Sequence, residues 1–103
     1  MTIKVRYFQG NSQTEEKLVY FKFFALSSKK DGEKDIRINI KTSSYDEFFL
    51  VSKEKIGLAK ILNDCFLERQ DCTLELISTK NGLYLDMIHM PIKPILTEIK
   101  KCE

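Results

Sequence analysis

Two-residue alternation of apolar and polar side chains within the first 41 residues constrains this chain more than any other feature. Ile3, Val5 and Tyr7 alternate with Lys4, Arg6 and Phe8. Val19, Phe21, Phe23 and Ala25 alternate with Tyr20, Lys22 and Phe24, and Ile36, Ile38 and Ile40 with Arg37, Asn39 and Lys41. Successive side chains of a strand point to opposite sides, so each stretch has one greasy face and one basic or aromatic face. An antiparallel sheet buries one such face and leaves the other in water. If the three strands are neighbours, one sheet face is a core and the other is cationic and aromatic, with no acid at these positions.

The rest of the chain completes an α+β pattern. The first strand is expected from Thr2 to Gln9, ending at the turn cluster Gly10-Asn11-Ser12. A polar link leads to a long second strand from Lys17 to Ser27. Asp31-Gly32 is a hairpin signal, the third strand covers Asp35 to Thr42, and Phe48 to Val51 reads as a buried fourth. Ser52 is a good N-cap, with Glu54 in the first turn at the positive end of the dipole. Leu58, Ile61, Leu62, Cys65 and Phe66 then recur at helical spacing. Gly57 weakens that helix by about 1 kcal/mol relative to alanine, which suggests a close backbone approach. Thr73 to Thr79 and Leu83 to Met90 flank Asn81-Gly82, the strongest hairpin signal in the chain. Leu74 and Leu76 are expected to share a face with Leu83, Leu85 and Met87, leaving Glu75, Tyr84, Asp86 and Ile88 on the other. Pro91 and Pro94 stop the strand, and Pro94 opens a short helix with Ile95, Leu96 and Ile99. The expected fold is thus a curved antiparallel β-meander of four strands, a helix, a β-hairpin and a short C-terminal helix, in one domain spanning 1–103.

Composition narrows the function classes. A chain of 103 residues, 43% hydrophobic and 31% charged, builds its own core without staples. No apolar run approaches the ~20 residues that cross a bilayer, and the N-terminus lacks the apolar segment of a secretory signal. No membrane association is expected. The reading is a cytoplasmic protein, or a nucleoid or nuclear one if bound to DNA. Cys65, Cys72 and Cys102 are odd in number and form no C-x-x-C pair, so they read as structural thiols. His89 stands alone, Asp46 and Glu47 are adjacent and point apart on a strand, and no glycine-rich phosphate loop or nucleophile elbow occurs. We therefore expect no enzyme, no cofactor, no metal and no small-molecule substrate.

The charge is uneven: residues 1–60 hold 12 Lys/Arg and 8 Asp/Glu, whereas residues 61–103 hold 5 and 7. The basic excess lies in the strand-rich half. Phosphates need positive charge and unstacked bases need flat π surfaces, so the basic–aromatic face suits single-stranded nucleic acid, with little sequence preference. Lys4, Arg6, Lys22, Arg37 and Lys41 would hold phosphates, Tyr20 and Phe24 would stack on bases, and Asn39 would bond a base edge. Phe8 is a weaker stacking candidate near a strand end.

The run Leu18-Val19-Tyr20-Phe21-Lys22-Phe23-Phe24, the Asp31-Gly32 hairpin, Ile36-Arg37-Ile38-Asn39-Ile40-Lys41 and the entry Phe49-Leu50-Val51-Ser52-Lys53-Glu54 resemble a known unit. It is that of the Whirly, PUR and positive-cofactor single-stranded-DNA-binding superfamily. The resemblance is architectural and covers about Lys17 to Phe66. It implies strands that contact a single strand of DNA more readily than RNA, in replication, recombination or transcription, and a helix supporting a homodimer. The alternative is a small interaction or inhibitor module that docks a protein through its aromatic strand face or C-terminal hairpin.

Overall fold

The structure, a computed structural model, describes residues 1–20, the backbone of 25–30, and 35–90. Seven strands form one mixed sheet: β1 (Thr2–Gln9), β2 (Ser12–Tyr20), β3 (Ala25–Lys30), β4 (Ile36–Lys41), β5 (Asp46–Val51), β6 (Cys72–Thr79) and β7 (Gly82–His89). Among the described residues one α-helix, α1 (Ile56–Leu67), lies between β5 and β6. The expected short C-terminal helix lies outside the described residues.

The class is α+β, but the four-stranded meander is not what forms. Spatial order is β2-β1-β6-β7-β5-β4-β3. The β1–β2 hairpin and the β3-β4-β5 meander stand at opposite ends, with the β6–β7 hairpin inserted between them. It pairs parallel to β1 on one side and, through Leu50 and Tyr84, parallel to β5 on the other. Strand phase is visible in one sequence, whereas strand order depends on which apolar faces fit together over long separations.

The second strand also differs. Gly10 adopts φ 61°, so a two-residue turn closes the first hairpin and β2 begins at Ser12. Its first half, Ser12 to Lys17, is exposed and polar throughout, which suits a sheet edge and hides the strand from a hydrophobic pattern. Tyr20 of β2 and Ala25 of β3, both expected within one strand from Lys17 to Ser27, lie on opposite edges of the sheet, and residues 21–24 lie outside the described residues. The registers of the two strands differ in phase. Tyr20 is in register with Thr2 on the side of Lys4, whereas Leu26 is in register with Ile40 of the core side. Ala25, expected inside, takes the position opposite Lys41.

Only four residues separate these two edges. Five Cα–Cα steps reach at most about 18 Å, whereas six interstrand gaps in a flat sheet would span about 29 Å. The sheet must therefore curl toward a barrel. Side chains show the direction: Tyr7 on β1 reaches Tyr45 beside β5 (Oη–Oη 2.9 Å) and donates to Glu47 Oε1 (2.8 Å). The face carrying Tyr7 is concave.

That concave face holds the core. Ile3, Val5, Val19, Ile38, Ile40, Phe49, Val51, Leu74, Leu76 and Leu85 line it, and Leu62, Cys65 and Phe66 of α1 plug it. Ser52 Oγ accepts from Glu54 N, capping a single 3-10 turn (Lys53–Lys55) that feeds α1. The helical stripe is narrower than expected, since Ile61 faces outward. Apart from its chain neighbours and its own helix backbone, no described atom lies within 4 Å of where a Gly57 Cβ would be, so Gly57 is not a close-approach position. A bulge at Glu75/Leu76 makes Asp86 an extra residue and shifts the phase of β7. Met87 consequently joins Glu75 on the outer face, and Ile88, expected outside, packs on the core.

Candidate nucleic-acid interface

The convex outer face is the candidate site. Paired residues share a face, so register fixes its composition. Lys4, Arg6 and Tyr20 lie on it at one flank and Arg37, Asn39 and Lys41 at the other. Lys22 and Phe24 lie outside the described residues. Among the described residues α1 covers only the concave side, and Tyr20 is 69% exposed. The phase of the described candidates agrees with the sequence reading, but their adjacency does not. β6, β7 and β5 separate β1 from β4, putting the flanks about 19 Å apart along the sheet.

A row of side chains absent from the sequence reading, apart from Phe8, joins them. Phe8 is in register with Ile77, Ile77 with Tyr84, Tyr84 with Leu50, and Leu50 with Arg37. All four uncharged members are half-buried, and Phe48 beside them is 53% exposed. The Arg37 guanidinium lies 4.0 Å from the Phe48 ring centroid, a cation–π contact that keeps its planar fork at the surface. Tyr84 donates to Asp35 Oδ2 at 2.8 Å, and this bond to a carboxylate pushes the phenol upward in pKa. Alternation around Asn81-Gly82 shows Ile77 and Tyr84 to be strand residues; their neighbours Phe8 and Leu50 follow only from the strand order.

The face also carries acids that the three-strand reading did not contain. Arg6 is held by Glu16 (3.1 Å) and Glu75 (3.9 Å), and Glu75 also bonds His89 (2.9 Å). Lys41 lies 3.9 Å from Asp46, whose other oxygen accepts from Asn39 Nδ2 at 2.9 Å. Asn39 also donates to the Glu47 carbonyl, so its amide is occupied. Lys4 and Arg37 form no ion pair among the described residues. Lys4, Arg37 and the loosely paired Lys41 are the cations available to a ligand.

The concave mouth holds a separate polar cluster. Lys17 Nζ sits 5.3 Å from the Tyr7 ring centroid and 5.9 Å from that of Tyr45. Burial, with the Tyr45 and Glu47 contacts, drives the Tyr7 phenol far up, and burial pushes Tyr45 up to about 12. Both stay neutral and act as bridges between β1 and β5. No group of three or more His, Cys, Asp or Glu suited to a metal occurs among the described residues. Nor is any described helix long and apolar enough to cross a membrane.

Comparison with known proteins returns no matching family model, no matching curated protein and no matching solved structure.

Proposed function

We propose that this protein binds single-stranded nucleic acid across its convex sheet face, without catalysing a reaction. The observation that carries the reading is the row Phe8–Ile77–Tyr84–Leu50–Arg37, which crosses five strands on a face free of helix among the described residues. Lys4 flanks one end, and Lys41 and the cation–π pair of Arg37 and Phe48 flank the other. Rings stack on bases with no need for a base-specific bond, each contributing about 1–3 kcal/mol. The row's length of about 19 Å accommodates a few nucleotides of extended strand. Arg6 and Asn39 serve mainly to organise the face, since internal partners already occupy them.

The test is fluorescence anisotropy of a labelled oligonucleotide of about twenty residues at low and moderate salt. Binding that weakens as salt rises supports the proposal, and no binding at the lowest salt overturns it. One observation favours a second reading, a protein partner on the same face: carboxylates lie close to Arg6 and Lys41 beside exposed Leu18, Tyr20, Phe48 and Met87. Aromatic, Met and Arg side chains with low net charge are the composition of a protein interface. Sizing with and without the oligonucleotide separates a nucleic-acid complex from self-association as a homodimer.

A further inference from the structure

Three sulfur-bearing residues lie where α1 ends, β6 begins and β7 ends. Cys65 lies in the last turns of α1, Cys72 is the first residue of β6, and Met90 follows β7. Cys65 Sγ is 3.5 Å from Met90 Sδ, and the Cys65 and Cys72 thiols interact with each other. Both cysteines are buried, whereas Met90 is 47% exposed. Two depressions border these residues, and Met90 lines both. One, of about 300 Å³, is bordered by Lys4, Cys72, His89 and Met90. The other, of about 210 Å³, is bordered by Ile61, Cys65, Glu68 and Met90.

We propose that Cys65, Cys72 and Met90 form a site for a soft monovalent d10 ion, Cu(I), bound by two thiolates and one thioether. Thiolate and thioether ligands select Cu(I) over the harder divalent ions, and a thioether is a poor partner for zinc. Metal–sulfur bonds of about 2.3 Å put two sulfurs of a trigonal site about 4 Å apart, so the 3.5 Å separation opens by only about 0.5 Å. Met90, at the surface, is the natural entry ligand.

Binding balances as two thiols plus Cu(I) giving the complex and two protons, with no change of oxidation state.

The experiment is anaerobic titration of the full chain with Cu(I) against a colorimetric Cu(I) chelator. Cys102→Ser serves as the background, because Cys102 lies outside the described residues. One Cu(I) per chain is expected, with X-ray absorption showing three sulfur neighbours at about 2.3 Å. Met90→Leu, at an exposed position, should keep the fold and weaken binding about tenfold; Cys72→Ser should weaken it at least 100-fold. Failure of the background protein to hold Cu(I) against the chelator would overturn the proposal. So would unchanged affinity in Met90→Leu.

Discussion

Arg37→Glu tests the outer face where the structure gives a magnitude. Arg37 forms no ion pair among the described residues and rests on an exposed ring, so the substitution removes one free cation and adds an anion at the same place. Two unit charges about 4 Å apart in water interact by about 1 kcal/mol, so reversal costs about 2 kcal/mol, or roughly 30-fold in Kd. The salt slope carries independent information. Lys4, Arg37 and Lys41 are available cations, and three phosphate contacts give a log–log slope of about −2 on single strands. Affinity of the unsubstituted protein should therefore fall about 16-fold between 50 and 200 mM salt, and Arg37→Glu should flatten the slope by about 0.7. Anisotropy titrations at several salt concentrations measure both. Stability should change by less than about 1 kcal/mol, because an exposed cation–π contact contributes little more. Unchanged affinity and slope in Arg37→Glu, with binding still present, would refute the assignment of this face.

Other expectations concern the curl of the sheet and its core. Tyr7→Phe removes the hydroxyl that links β1 to Tyr45 and Glu47; it should cost about 2 kcal/mol and lower the urea midpoint by about 1 M. Because Tyr7 and Tyr45 have phenol pKa values raised above the unfolded value near 10, their contribution is complete below pH 10. Stability falls as pH rises above 10, with the Tyr45 share gone by about 12 and the Tyr7 share extending higher, so alkaline unfolding should begin above pH 10 and be shallower in Tyr7→Phe. Leu62→Ala, at a fully buried helix position, should cost about 2–5 kcal/mol, measured by thermal or urea unfolding. Lys55→Ala breaks an exposed 2.7 Å pair with Asp86 and should cost under about 1 kcal/mol, with no effect on oligonucleotide affinity.

Local chemistry was legible in the sequence and long-range order was not. Ile3, Val5, Ile38 and Ile40 point inward and Lys4, Arg37 and Tyr20 outward as their alternation requires, because side-chain phase is a property of a single strand. Ser52 and Asn81-Gly82 marked their cap and turn because each acts over only a few residues. The parallel pairing of β1 with β6 joins residues about seventy apart, and nothing local encodes it. The bulge at Glu75/Leu76 reversed the outer half of β7, exchanging Met87 and Ile88 against a sound hydrophobic pattern. β2 was missed where it is wholly polar, since an exposed edge strand has no buried face to betray it. The candidate site suffered the same division. Phase alone identifies its flanking cations, whereas Ile77, Tyr84 and Leu50 form a row only because β6, β7 and β5 lie between β1 and β4.

Residue-resolved amide shifts on titration with a short oligothymidine bear most directly on the convex face as the binding surface. The account requires the largest shifts at Phe8, Ile77, Tyr84, Leu50 and Arg37, with Leu62, Cys65 and Phe66 of α1 unmoved. Shifts centred on α1 or on the hairpin tip at Asn81-Gly82, with the cross-sheet row silent, would contradict it.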